Sequence, residues 1–402
     1  MLWTAINTVV ILVTLVVLCL VMYSKKVQRS EKYQATVVPL ANIMDVGFLA
    51  MTPIIVLLLG VDSPIFMLLL VLTGALVGVV MSYNMKYFEP LLGTDDPLGR
   101  ISSFSRWALL AASVANIAYY IKLMSALVFL PFGVQSQQLF SLAAAAVLVA
   151  LGVIGYLFGL GKLNALGEKT TAFNIAAVLA ILAGFIVFNV QMFVTGEWVI
   201  PEYNPPNDPD RLRKLFGFFA IVQGFEASRY MRNRFPDASF RISTMRTAQL
   251  VSGVVFVLLI ASTLIAFAVV RPELRPVAII QIGEVVTPML PFLILVAAIT
   301  SQLSAGVNAL SSRSDLLVEA TDKKLNRKYT YPIIVAPCVA LVMLADVTQA
   351  IAVASRIFAG YFLLQALIAM SLAFRKRHWG ELLLFGVAGF AMALVMIFGL
   401  SV

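Results

Sequence analysis

Residues 2–24 contain no Asp, Glu, Lys, Arg or His, and stretches of this kind recur along the chain. A helix needs about 20 apolar residues to cross the hydrocarbon core of a bilayer. On that ruler about twelve spans are expected, at 2–23, 37–60, 64–84, 104–131, 138–160, 172–194, 214–230, 246–270, 285–311, 329–345, 347–374 and 379–400. With 61% hydrophobic and 12% charged residues among 402, the expected fold class is an all-α integral membrane protein, multi-pass in the cell (inner or plasma) membrane. The first segment lacks a basic flank and a small-residue cleavage site, so it is expected to remain as an anchor helix.

The net charge of +9 suggests topology rather than nucleic acid, because basic residues sit in short connections without interleaved aromatics. Segments 24–36, 84–106, 160–171, 229–247, 311–332 and 375–378 hold 22 of the 29 Lys and Arg. These are read as cytoplasmic, which places both termini outside. Arg211, Arg213, Lys214, Arg271 and Arg275 fall in outer segments, and Lys122 and Arg356 inside spans. Cys19 and Cys338 each lie in an apolar segment and support neither a disulfide framework nor a metal site. The lone His378, in the run Arg375-Lys376-Arg377-His378, reads as a solvated flank. One histidine and no cysteine pair leave zinc or haem chemistry without ligands of the usual kind, so no enzyme and no resident cofactor are expected.

Two spans carry an acid beside a glycine. Asp45-Val46-Gly47 interrupts 37–60 and Gly224-Phe225-Glu226 interrupts 214–230. Each lies about ten residues, roughly 15 Å at the helical rise, inside its span. A charge held there costs roughly 3 kcal/mol, so an acid at that depth points to function. Setting the first helix aside, a unit over 37–194 begins inside and a unit over 214–374 begins outside, so the two are inverted, as in many secondary transporters. The expected organisation is an extra helix and basic loop at 1–36, a first repeat at 37–194, an outer loop at 195–213, a second repeat at 214–374 and an extra helix at 375–402.

The stretch Phe216-Gly217-Phe218-Phe219-Ala220, then Gln223-Gly224-Phe225-Glu226 and a Pro- and Arg-rich loop, resembles the sixth core helix of the amino acid-polyamine-organocation (APC) superfamily. That resemblance implies a LeuT-like five-plus-five inverted repeat with one extra helix at each end. Ala297-Ala298-Ile299-Thr300-Ser301 is similar to the eighth core helix of sodium-coupled members. It implies a Na⁺ site formed by the Ala297 carbonyl and the Thr300 and Ser301 hydroxyls, with backbone from residues 42–47. Ser311-Ser312-Arg313 with Leu316-Leu317 also echoes the inner end of that helix in amino-acid carriers. The first core helix departs from the pattern of closely spaced small residues, holding Asn42-Ile43-Met44-Asp45 instead, and Asp45 suits an amine or a cation better than a carboxylate.

The resulting expectation is a secondary active transporter, a symporter, moving a small amino-acid-like or amine-containing solute by alternating access; the alternative is a channel or transporter-like sensor. Asn42, Asp45, Gly47, Asn116, Tyr120, Gln223, Gly224 and Glu226 are the expected substrate-binding residues. Glu226, Arg356 and Lys122 are the expected gating or coupling residues, with static Glu226–Arg356 or Asp45–Lys122 ion pairs as the structural alternative. Coupling is expected from Na⁺ or from protonation of Glu226. Asn116 and Tyr120 share a helix face, Tyr119 fits packing or an interfacial belt equally, and Gln302 and Asn308 fit interhelical hydrogen bonds or ligand contacts. The partners expected are a small solute and the lipid bilayer.

Overall fold

A computed structural model describes residues 2–45, 47–129, 132–134, 136–201, 208–270 and 278–401, apart from the side chains of 164–166 and 168. Val46, Arg271 and Arg275 lie outside the described residues. Among those described every regular element is helical. In chain order they are α1 (Leu2–Met22), α2 (Lys25–Gln28), α3 (Glu31–Ile43), α4 (Gly47–Leu59), α5 (Ser63–Tyr87), α6 (Leu98–Phe129), α7 (Gln137–Phe158), α8 (Gly161–Val194), α9 (Arg211–Gly217), α10 (Ala227–Tyr230), α11 (Ala238–Thr263), α12 (Ala266–Val269), α13 (Ala278–Val286), α14 (Met289–Ala320), α15 (Arg327–Leu344), α16 (Val347–Arg375) and α17 (Trp379–Phe398).

Among the described residues 10 helical stretches are long and apolar enough to cross a membrane, one of them Gly47–Tyr87, in which α4 and α5 follow each other across a 3₁₀ turn. Two expected spans are missing from that set for one reason: 37–60 and 214–230 are each divided, into α3 and α4 and into α9, a 3₁₀ turn and α10. Several expected loops are helical. α8 starts at Gly161, within the expected loop 160–171, and α14 runs on to Ala320, beyond the expected end at 311. From 307 to 331 the chain has neither Gly nor Pro to stop a helix.

The bundle is built around the divided helices. α6 packs against α14 and α16, α14 against α8, and α11 against α3 and α5. Phe48, one residue into α4, stacks on Phe256 of α11 with ring centroids 3.8 Å apart, and Phe225 stacks on Phe362 of α16 at 5.4 Å. Both breaks are thus held in apolar packing on one side, leaving their polar atoms to the other. α1 lies against α8, where Asn7 donates to Gln191 at 3.1 Å and to the Val286 carbonyl at 3.2 Å. Apart from this seam α1 is largely exposed, as expected of a lipid-facing helix.

At the basic end Glu89 receives two hydrogen bonds from Arg241, at 2.9 and 2.6 Å, while the same guanidinium donates to the Arg229 carbonyl at the end of α10. Arg229 in turn donates to Gln365 at 2.6 Å, which also accepts from Asn84 and donates to Ser105. Both arginines, counted by sequence among loop cations, are buried. His378 is not a free flank: its Nδ1 lies 3.0 Å from the Tyr83 hydroxyl.

Candidate functional site

α3 ends at Ile43 because Asp45 captures the backbone beyond it. The Asp45 carboxylate accepts the N–H of Gly47 at 3.0 Å, which caps the positive N-terminal end of α4 with a negative charge. The same oxygen accepts from the Ser301 hydroxyl at 3.1 Å and from Gln302 Nε2 at 2.5 Å, both on α14. Asp45 is 9% exposed, and among the described residues no Lys, Arg or His lies within ion-pairing distance of it. Gly47 makes room for Tyr119: a Cβ there would sit 2.5 Å from the Tyr119 hydroxyl. That hydroxyl and Gln302 Oε1 are buried without a hydrogen-bond partner in the protein. Buried polar atoms are ordinarily paired, so this corner can accept and donate further hydrogen bonds beside a carboxylate.

The second break is longer. After α9 the chain tightens into a 3₁₀ turn over Phe219–Val222, extends at Gln223 and turns at Gly224 with φ +117°. Ser355 of α16 clamps the first half, donating to the Gly217 carbonyl at 2.7 Å and accepting from Ala220 N–H at 2.8 Å. Glu226, 3% exposed, accepts the Gly224 N–H at 2.8 Å, and Arg313 of α14 lies 3.9 Å from its other oxygen. Gln223 Oε1 and Arg313 Nε are buried and unpaired in the protein. The breaks touch: a Cβ on Gly224 would lie 2.7 Å from the carbonyl carbon and 2.8 Å from the carbonyl oxygen of Asn42.

α6 brings Asn116 and Tyr120 together, Asn116 donating to the Tyr120 hydroxyl at 2.9 Å, with the Tyr120 ring tilted on Tyr119 at 5.5 Å. Tyr119, rather than forming an interfacial belt, points at the first break. Asn308 faces Gly167 of α8.

Three expected residues stand elsewhere. The Thr300 hydroxyl lies 2.8 Å from the Val296 carbonyl, 3.1 Å from that of Ala297 and 3.1 Å from Asn174 Oδ1, so it faces α8 while Ser301 faces Asp45. Successive helix residues point about 100° apart, which turns the two hydroxyls to different neighbours. Lys122 pairs with neither acid. It donates to the Val342 carbonyl at 2.7 Å and to that of Ala345, at the end of α15. Arg356 is exposed and donates to the Met396 carbonyl at 2.9 Å near the end of α17, so the Glu226–Arg356 pair is absent as well. The reason is common to both: the last carbonyls of a helix have no intrahelical donor and carry partial negative charge, and a cation satisfies them. Arg211 does the same for α4, donating to Leu58 and Leu59 carbonyls at 3.1 and 2.7 Å.

Sequence reasoning missed Arg313 as the neighbour of Glu226. The span ruler ended at 311 and counted the residue with a cytoplasmic segment, although the resemblance put it at the inner end of the eighth core helix; the absence of a helix stop after 307 is the signal that carries α14 past it.

Two interrupted helices meeting back to back inside an apolar bundle, each with a carboxylate at its break, define a polytopic membrane carrier whose irregular backbone is sheltered within protein. A family model described as "APC superfamily transporter" matches residues 25–399, and the chain belongs to that superfamily. It is similar to an uncharacterized protein of Aquifex aeolicus (strain VF5), 28% identical over 382 residues that span 93% of this chain and 92% of the relative.

Proposed function

We propose that this transporter carries a small amine-bearing solute by alternating access, the solute's ammonium group meeting Asp45 between the two breaks. The observation that carries the reading is a buried carboxylate satisfied by neutral donors alone, next to two unpaired polar atoms, Tyr119 Oη and Gln302 Oε1. A desolvated carboxylate favours a cationic ligand over an anionic one. Gln223, Asn116 and Tyr120 complete the wall, and residues 37–194 and 214–374 move as inverted halves.

Coupling falls to Glu226. A proton on this carboxylate removes its attraction for Arg313 at 3.9 Å and frees α14 from α10, while Gly224 N–H loses a charged acceptor. The divergent hydroxyls of Thr300 and Ser301 favour the proton over sodium.

The test is Glu226→Gln in proteoliposomes. Gln keeps the shape and cannot change charge, so folded yield and solute exchange persist while concentrative uptake falls at least tenfold and loses its pH dependence. Normal pH-dependent net uptake by the variant refutes the assignment. Uptake in the wild type driven by a sodium gradient at constant pH replaces the proton with sodium.

A further inference from the structure

At the basic end of the bundle, away from both breaks, the last turns of α5, the first turns of α11 and the start of α17 enclose an open groove of about 690 Å³. Its character changes along its length. At the mouth stand Lys86, Ser239 and Ser243, with Arg246 a turn deeper; below them the walls are Val79, Leu250 and Phe385. We propose that this groove is a binding site for an anionic phospholipid, the phosphate held by Lys86, Arg246 and the two serines, and an acyl chain lying against the apolar floor.

Three observations support the occupant. The first is charge. Lys86 and Arg246 are exposed, and among the described residues neither makes an ion pair within 4.0 Å. Lys376 adds a third cation beside them, its Nζ 5.1 Å from the Tyr87 ring that Lys86 also covers at 5.2 Å. Glu381 is the one carboxylate on the lining, so positive charge is in excess, which matches an anionic headgroup better than a zwitterionic one. The second is depth. Ser239 and Arg246 are separated by about 10 Å along the helix, and a long Arg side chain at that level reaches back toward the headgroups while its stem lies against acyl chains. The third is the mixed lining, since a soluble anion would leave the apolar floor unused. Basic clefts between transmembrane helices at a headgroup layer are suited to such lipids.

The site adjoins the transport core without belonging to it. α11 carries Arg241, which ties Glu89 and the end of α10 together, on the same helical stretch as Ser243 and Arg246. A lipid wedged between α5, α11 and α17 therefore braces the helices that hold the second break.

The experiment is a thermal-shift titration of delipidated protein in detergent with dioleoylphosphatidylglycerol, dioleoylphosphatidylcholine or inorganic phosphate. Phosphatidylglycerol should raise the melting temperature at mole fractions where phosphatidylcholine does not. The double variant Lys86→Gln/Arg246→Gln should need about tenfold more lipid for the same shift. Ser243→Trp, which keeps every charge and fills the groove, should abolish the response, whereas Lys323→Gln/Lys324→Gln, a charge-matched change elsewhere at the basic end, should leave it intact. Equal shifts from phosphatidylcholine, an undiminished response in both groove variants, or a loss in the Lys323/Lys324 variant as large as in the groove variants would overturn the proposal. A shift from inorganic phosphate that matches phosphatidylglycerol would assign the groove to a soluble anion instead.

Discussion

At the first break the acid precedes its glycine and at the second it follows, yet in each the carboxylate accepts the glycine's own N–H: Gly47 to Asp45 at 3.0 Å, Gly224 to Glu226 at 2.8 Å. Their surroundings differ. Asp45 is embraced by neutral donors from α14, Ser301 and Gln302, whereas Glu226 stands opposite a cation of the same helix, Arg313, at 3.9 Å. At the first break the Asp45 side chain accepts the N–H of the first residue of α4; the second spreads over a 3₁₀ turn, an extended residue and a glycine at positive φ. A charge with neutral partners can still attract a cation, while a charge already facing one can only be modulated. On the proposed function, ligand recognition falls to one acid and switching to the other, and α14 touches both.

The sharpest way to break this comparison is at the glycines. Gly224→Ala meets two penalties, a φ of +117° and Asn42 backbone 2.7 Å from the new Cβ, and backbone cannot step aside. It should cost about 3 kcal/mol or more and eliminate transport, read as a lower melting temperature and lost uptake. Gly47→Ala meets the ends of three side chains, Tyr119, Asp45 and Gln302, which can shift, so about 1 kcal/mol is expected. Equal losses at the two sites would erase the distinction between a rigid contact and an adjustable one.

The hydroxyls of α14 sharpen it further. Ser301→Ala removes one donor from Asp45 and should cost about 1 kcal/mol together with a several-fold weaker solute affinity. The Thr300 hydroxyl hydrogen-bonds, among the described residues, to Asn174 and its own helix, so for Thr300→Ala binding affinity, measured by solute titration, should stay within twofold. A Thr300 effect on affinity larger than that of Ser301 would move the site toward α8.

The smallest effect is expected far from both breaks. The Leu98 N–H and the Arg375 guanidinium hold the Asp96 carboxyl below the usual carboxylate range. A depressed carboxylate contributes stability above its unfolded pKa, about 3.9, and that contribution is lost as pH falls through the lower folded value. Asp96→Asn should lower the melting temperature slightly at pH 7, with the gap from wild type closing in acid, and leave transport unchanged. Altered uptake would mean that the loop reaches the core.

Much of this was legible because hydrophobic spans obey a length rule and because a carboxylate beside a glycine in an apolar run has few structural excuses; Asp45, Gly47, Gly224 and Glu226 stand out for that reason. Pairing was not legible. Lys122 and Arg356 announce a charge, but nothing local says which helix end each will cap. Arg313 is 87 positions from Glu226, and the ruler that located α14 stopped where apolarity stopped, although the helix did not. Thr300 and Ser301 look alike in sequence and diverge because one residue of helix turns them to different neighbours.

The contact between Gly224 and the Asn42 backbone also bears on how the bundle can move. Where main chain lies on main chain, no side-chain rotamer is available to open a gap, so any shift of α3 against the second break has to carry whole backbone segments with it.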